Sequence, residues 1–288
     1  MDNLTQKVAL ITGGASGIGR SLAARFCQAG MNVVISDIEK IALEKTVSEL
    51  QANGANALGF LCDVSDHSSV ADLREQTLET FGLPHVLCLN AGVAPSGLLT
   101  ESPIEDWKWA LNVNLGGIIH GLDIFLKELT ERDEGHIVIT ASIAGHYPFP
   151  GLAPYNATKY GAISIAETLY LELRNSGSKV GVTCLCPGLV ATNIFTSERN
   201  RPNELHPKKS KIRTDEESEL YTTYVKWMQK NGTDPSKVAE MTHQAVLDNT
   251  FWLFTDDDYL NTISERHSAI EKREQPPEHK PTTSVIDF

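Results

Sequence analysis

The sequence predicts a single-domain, doubly wound α/β fold, in which a seven-stranded, mostly parallel sheet carries helices on both faces. Three observations predict it. Short apolar runs alternate with helix-length amphipathic stretches through the first two thirds of the chain. The first run opens directly into a glycine-rich turn. The chain has 288 residues, 41% of them hydrophobic, enough to bury one substantial core.

The elements follow in order. Lys7-Val8-Ala9-Leu10-Ile11 is a short apolar run suited to a buried parallel strand. It leads into Thr12-Gly13-Gly14-Ala15-Ser16-Gly17-Ile18-Gly19 and then a helical stretch over 17–29. Further strands are expected at 32–36, 56–61, 85–89, 135–140, 179–185 and 250–254. Helices are expected at 40–52, 67–80, 104–131, 154–175 and 256–274.

A strand, a glycine turn and a helix N-terminus together make a phosphate cradle. Glycine lets the backbone approach a pyrophosphate, and the free N–H groups favour the anion. Gly13, Ser16, Gly17, Ile18 and Gly19 are therefore candidate dinucleotide-binding residues. The second strand ends in Asp37, eighteen residues after Gly19, where a carboxylate can hold ribose hydroxyls. Its charge would repel a 2′-phosphate, and neither Ser16 nor Ile38 supplies a cation to receive one. NAD(H) is therefore expected over NADP(H).

The second chemical signal lies mid-chain. Ser142 precedes Tyr155 by thirteen positions, and Lys159 follows four later, one helical turn on. A free phenol ionises near about 10 and is a poor base at neutral pH, but a neighbouring ammonium favours the phenolate. Such a pair could move a proton on and off a substrate oxygen. Asn114, in Asn112-Val113-Asn114, falls in an expected helix where Asn is locally unfavourable, which points to a purpose for it.

Taken in order, Thr12-Gly-x-x-x-Gly17-x-Gly19, Asp63-Val64, Asn90-Ala91-Gly92, Asn114, Ser142, Tyr155-x-x-x-Lys159 and Pro187-Gly188 followed by Thr192 resemble the short-chain dehydrogenases/reductases, over about residues 5 to 255. The resemblance implies a Rossmann-type fold, a nicotinamide cofactor and a homodimer or homotetramer. It implies Tyr155 as general acid/base and Ser142 as hydrogen-bond donor to the substrate oxygen. Lys159 would bind the nicotinamide ribose and lower the Tyr155 pKa, and Asn114 would hold a water in a proton relay. Asp63 and Val64 would contact the adenine, and Asn90, Ala91 and Gly92 would line the ribose path. Pro187, Gly188, Val190 and Thr192 would face the nicotinamide. One departure is visible: family members often carry two asparagines before Ala-Gly, and here Leu89 precedes Asn90. In the C-terminal third, Glu198-Arg-Asn-Arg-Pro202 and Asp234-Pro-Ser-Lys-Val-Ala239 resemble bacterial dehydrogenases of bulky aryl alcohols.

The fold places a substrate lid directly after Thr192, so 189–233 is the expected lid within a domain spanning 1–278. Leu220 to Met228 carries Tyr221, Tyr224, Trp227 and Met228 at helical spacing, readable either as core or as that lid. Residues 196–216 are polar, with Lys208, Lys209, Lys211 and Arg213 before Asp215, Glu216 and Glu217, and read as a solvated loop. Pro276, Pro277 and Pro281 among charges mark a loosely packed end, with 279–288 as a tail. Val93, His146, Tyr147, Phe149, Phe195, Tyr224 and Trp227 are the expected substrate wall. They describe a roomy, largely apolar pocket for a bulky secondary alcohol or its ketone.

Composition bounds the rest. A net charge of −12 disfavours nucleic acid and anionic membrane as partners. The start has neither a basic nor an apolar leader segment, and no run of about twenty apolar residues is apparent, so a cytoplasmic protein is expected. The five cysteines and nine histidines show no metal-ligand spacing, so no metal is expected, and Cys184 and Cys186 read as buried thiols. Two other functions fit parts of the pattern: an NADPH-dependent 3-oxoacyl-type reductase, and a non-catalytic nucleotide sensor on the same fold.

Overall fold

The computed structural model describes residue 1 and residues 3–207 and 215–278. The basic run Lys208, Lys209, Lys211 and Arg213 and the tail 279–288 lie outside the described residues. Seven strands form one sheet: β1 (Val8–Thr12), β2 (Asn32–Asp37), β3 (Ala57–Leu61), β4 (Val86–Leu89), β5 (His136–Thr140), β6 (Gly181–Cys186) and β7 (Trp252–Phe254). Their order is β3-β2-β1-β4-β5-β6-β7, and every pairing is parallel. The order reverses between β1 and β4, so a crevice opens beyond the carboxyl ends of those strands.

Helices cover both faces: α1 (Gly17–Gln28), α2 (Lys40–Ala52), α3 (His67–Thr80), α4 (Ile104–Ala110), α5 (Gly117–Arg132), α6 (Ala153–Asn175), α7 (Asp215–Asn231), α8 (Pro235–Asp248) and α9 (Leu260–Lys272). Alternation within the strands divides the core. Ala9, Ile11, Val33 and Ile35 pack with Leu22, Phe26, Leu43 and Val246, whereas Leu10, Val34 and Leu87 pack with Leu73, Phe125, Leu129 and Ala166 on the other face. Each such fully buried side chain contributes about 1.5–3 kcal/mol.

Three differences from the sequence reading have physical causes. The helix expected over 104–131 is interrupted: Leu111–Gly116 forms a π-turn between α4 and α5. That wider turn brings Asn114 inward, to 1% exposure. The joined run Ile104–Arg132 is long and apolar enough to cross a membrane by length and composition, contrary to the reading that no such run exists; here Trp109, Ala110, Ile118, Phe125 and Leu129 are buried in the core. Lastly, α8 was not anticipated. Its signals are local ones: Asp234 accepts a hydrogen bond from the Ser236 amide at 2.8 Å, Pro235 occupies the first turn, and Val238, Ala239, Thr242 and Val246 form its buried stripe. It packs along α1, where Arg25 bonds Glu240 and His243.

Part of the polar stretch expected as a loop is ordered into 3₁₀ turns at Ile194–Asn200 and Asn203–Leu205. The two ends of the 189–233 segment are joined by backbone hydrogen bonds. The Ala191 amide donates to the Thr233 carbonyl at 3.0 Å, and the Thr233 amide to the Leu189 carbonyl at 2.8 Å.

Candidate active site

A crevice of about 1100 Å³ runs from the β2 end across β1 and β4 to the segment between β6 and α8. Its first wall is the glycine turn. Gly13 has φ +65°, and a Cβ there would stand 2.8 Å from Ala91 Cα; a Cβ on Gly19 would stand 2.1 Å from the Gly13 carbonyl oxygen. Only glycine allows this close packing, which lowers the turn under any bound group. Ser16 caps α1 with no side-chain hydrogen bond. The first amides of α1 are thus left for an anion. Gly19 itself is buried beneath the turn and does not reach the crevice, whereas Gly13, Ser16, Gly17 and Ile18 do.

Asp37 closes the β2 end of the crevice. Its Oδ2 accepts the Ala15 amide at 3.0 Å and its Oδ1 the Glu39 amide at 3.1 Å, so the carboxylate braces the glycine turn against β2 while lining the crevice. Asp63 is held by Ser65, whose amide and hydroxyl donate to Oδ1 at 2.9 and 2.7 Å, and Val64 lies beside it on the wall. Asn90 spends its amide on the strand ends: Nδ2 donates to the Thr12 carbonyl at 3.0 Å, and Oδ1 accepts the Thr140 hydroxyl at 3.3 Å. This ties β1, β4 and β5 together and exposes Ala91 and Gly92 to the crevice. Leu89, which stands where relatives often carry a second Asn, is buried against Gly121 of α5, an apolar substitute for a polar support.

At the inner end stand Ser142, Tyr155 and Lys159. Ser142 follows β5, accepts the Ala144 amide at 3.1 Å and donates to the Pro187 carbonyl at 3.4 Å. Its side chain also stands near enough to the Tyr155 phenol to favour ionisation there. Lys159 Nζ donates to the Thr140 carbonyl at 2.8 Å and lies 5.5 Å from the centroid of the Tyr155 ring. The electrostatics differ from the sequence reading. Burial raises the Tyr155 pKa above its ordinary value of 10.0, and only Ser142 opposes it. Burial also acts on Lys159 itself, bringing its ammonium down to about 8.

Asn114 lies one layer behind the crevice wall. Its Oδ1 accepts the Val93 amide at 2.7 Å, and its Nδ2 donates to the Val93 carbonyl at 2.9 Å and the Thr158 hydroxyl at 3.0 Å. The side-chain amide is thus spent on positioning Val93 and Thr158.

Of the expected substrate wall, Val93, Phe149, Phe195, Tyr224 and Trp227 line the crevice, and His146 and Tyr147 do not. His146 turns into the protein, packing 5.2 Å from Trp252 and 5.4 Å from Phe254, with Nε2 3.5 Å from Cys186 Sγ. Burial pulls its pKa down to about 4. Tyr147 is buried and donates to the Glu278 carbonyl at 3.4 Å. Both follow Ser142 within a tight 3₁₀ turn, which rotates them away from the crevice. Pro187, Gly188, Val190 and Thr192 line the opposite wall. Phe195 meets Tyr224 edge-on at 5.7 Å, and the Tyr221 hydroxyl donates to the Phe195 carbonyl, so α7 lies against the same cavity.

Trp109, Glu39, Arg199 and Tyr259 also line the crevice and were not anticipated. Trp109 was hidden in a helical pattern that reads equally as core; the others belong to polar runs that read as solvated.

A glycine cradle, a strand-end carboxylate and a Ser–Tyr–Lys cluster at the far end of one crevice define a dinucleotide-dependent oxidoreductase. Residues 7–203 match the family model for short chain dehydrogenases. The chain belongs to the short-chain dehydrogenase/reductase family. A short-chain dehydrogenase/reductase from Burkholderia phymatum, solved in complex with NAD, is 37% identical with a TM-score of 0.92, covering 97% of this chain and 99% of that one. C alpha-dehydrogenase of a Sphingobium strain is 30% identical over 98% of this chain and 90% of its own length. A variant actinorhodin polyketide ketoreductase, solved with NADPH, is 29% identical with a TM-score of 0.72, over 88% and 97% of the two chains.

Proposed function

We propose that the protein interconverts a bulky, largely apolar or aryl secondary alcohol and its ketone, using NAD(H). The observation that carries this reading is the convergence of Ser142, Tyr155 and Lys159, with Lys159 Nζ 5.5 Å from the Tyr155 ring centroid, in a crevice that begins at Asp37 and ends among aromatic side chains. The similarity to an NAD-bound relative and to a C alpha-dehydrogenase supports it.

The residues present fit a dinucleotide. The cradle of Gly13 and Gly17 would take the pyrophosphate on the first turn of α1, Asp37 the ribose hydroxyls, and the pocket beside Asp63 and Val64 the adenine. Lys159 would meet the nicotinamide ribose. When bound, the nicotinamide supplies or accepts the hydride.

The chain itself handles the proton. In oxidation, Tyr155 takes the substrate hydroxyl proton on its phenolic oxygen, and Ser142 donates a hydrogen bond to the same substrate oxygen as charge develops. Tyr155 begins as a neutral phenol whose burial opposes ionisation, so its proton must leave as the substrate's arrives. Lys159, held at a pKa of about 8, accepts that proton only in its neutral amine form, a minority at pH 7 that grows as pH rises toward 8, so oxidation should quicken over that range. In reduction the same groups run in reverse, and Tyr155 donates.

Phe149, Phe195, Tyr224 and Trp227 give the inner pocket large apolar faces and exclude water from the reacting oxygen. The segment 189–233 serves as the lid, its two ends joined by the hydrogen bonds of Thr233 with Leu189 and Ala191. The test is a panel of aryl, aliphatic and steroid secondary alcohols with NAD⁺ and NADP⁺ side by side, followed at the nicotinamide absorbance band. Turnover of aryl or steroid alcohols with NAD⁺ is the expected result. A strong NADP⁺ preference, or activity confined to short aliphatic alcohols, would overturn it.

A further inference from the structure

The segment from Ala191 to Pro202 touches both halves of the crevice, and its side chains show how it is held. At one end Thr192 rides on the glycine turn: a Cβ on Gly17 would come within 3.0 Å of Thr192 Cγ2. At the other end, Glu39 Oε1 accepts three hydrogen bonds, from Arg199 Nε at 3.1 Å, Arg199 Nη2 at 2.6 Å and Asn200 Nδ2 at 2.8 Å. Glu39 lies two residues beyond Asp37, and both line the crevice, as do Arg199 and Asn200. Arg199 Nη1 also donates to the Thr196 carbonyl at 2.7 Å and the Asn193 carbonyl at 3.3 Å, which fixes the shape of the turn that carries it.

Two residues on, the chain is anchored from the other side. The Arg201 side chain is 2% exposed; it bonds Asp106 at 2.7 Å and Glu198 at 2.6 Å, and its guanidinium lies 4.2 Å from the centre of the Trp109 ring. One end of the strap is thus buried on α4, while its other attachment is a surface contact. Glu39 and Arg199 remain 28% and 36% exposed. A solvent-reached pair of this kind adds little to global stability and can break and remake readily. Three charge-assisted bonds on one carboxylate oxygen instead define a position.

We propose that Glu39, Arg199 and Asn200 form a latch that holds the 192–200 strap across the adenosine end of the crevice and sets how fast the dinucleotide leaves. The proposal rests on the nicotinamide-dinucleotide reading above and adds to it a residue group that governs retention. Opening the latch frees the strap between its buried Arg201 anchor and the hydrogen bonds of Thr233 with Leu189 and Ala191, and a dinucleotide lying under it can then exchange.

The test is the dissociation rate of NADH, measured by stopped-flow displacement with excess NAD⁺, for the parent chain and for Glu39→Gln, Arg199→Met and the double variant. Each single variant is expected to release NADH about tenfold faster, from the loss of charge-assisted hydrogen bonds. The double variant is expected to release no faster than the singles, because both remove one contact. Raised salt should speed release from the parent and leave Glu39→Gln unchanged. Release within twofold of the parent, or additive effects in the double variant, would overturn the latch while leaving the cofactor reading intact. A parent chain that fails to bind NADH would overturn both.

Discussion

Lys159 Nζ lies 5.5 Å from the centroid of the Tyr155 ring yet gives its hydrogen bond to the Thr140 carbonyl, 2.8 Å away. The ammonium is therefore held ready beside the phenol, not bonded to it. That position is costly, because Lys159 is 3% exposed and no carboxylate among the described residues pairs with it.

A pH signature follows. The folded-state pKa of Lys159 is depressed from 10.5 to about 8, so between those values the unfolded chain binds more protons than the folded one. The Lys159 contribution to stability is unfavourable below about pH 8 and is relieved as pH rises toward 10.5. Lys159→Met removes a penalty of roughly 3 kcal/mol at most at pH 7. Thermal unfolding of variant and parent should show the variant more stable at pH 7, with the difference shrinking by pH 10. Equal Tm values at pH 7 would show that the ammonium is not desolvated. The same variant should lose most of its turnover.

On the proposed NAD(H) reading, Asp37 selects the cofactor through its charge. Asp37→Ser combined with Ile38→Arg is expected to move the ratio of kcat/KM for NAD⁺ over NADP⁺ by about a hundredfold toward NADP⁺. Absolute rates should also fall, since Asp37 braces the Ala15 amide. An unchanged ratio would remove Asp37 from cofactor selection.

Asn114 supports the wall. Asn114→Ala leaves the Val93 amide and carbonyl without their side-chain partner in a buried position. Its expected cost is about 2–4 kcal/mol, read as a Tm lower by about 4 °C or more, together with reduced kcat. A variant with parental Tm and reduced kcat would point instead to a direct part in proton transfer.

The strand positions, the glycine turn and the Ser142, Tyr155 and Lys159 cluster were legible in the sequence, because each rests on a local signal: apolar runs for strands, glycines for the turn, and a one-turn spacing for Tyr155 and Lys159. What the sequence did not carry depends on direction and on distant partners. His146 and Tyr147 lie within five residues of Ser142, yet the Ile143–Gly145 turn points them into the protein. Nothing in Glu39 or Arg199 foretold their meeting across 160 positions. The π-turn at Leu111–Gly116 was hinted at only by Asn112 and Asn114 in a helical pattern. The α8 helix is signalled locally by Asp234-Pro235-Ser236, a capping carboxylate and a first-turn proline.

Assembly is open to a direct check. Ile119 on α5 and Leu171 on α6 are exposed apolar side chains, and a second copy of the chain is the occupant that the family resemblance implies. Ile119→Glu is expected to lower the mass measured by light scattering from a dimer or tetramer to a smaller species, with the fold retained by circular dichroism. A parent chain that is itself monomeric would contradict this expectation.

The account turns on the Tyr155 hydroxyl as the group that exchanges a proton with substrate, and Tyr155→Phe removes that oxygen alone. Steady-state turnover of the best alcohol from the panel, with NADH affinity measured on the same preparation, tests it most directly. The account predicts turnover reduced by about a thousandfold with NADH affinity within about threefold of the parent. Turnover within tenfold of the parent would contradict it.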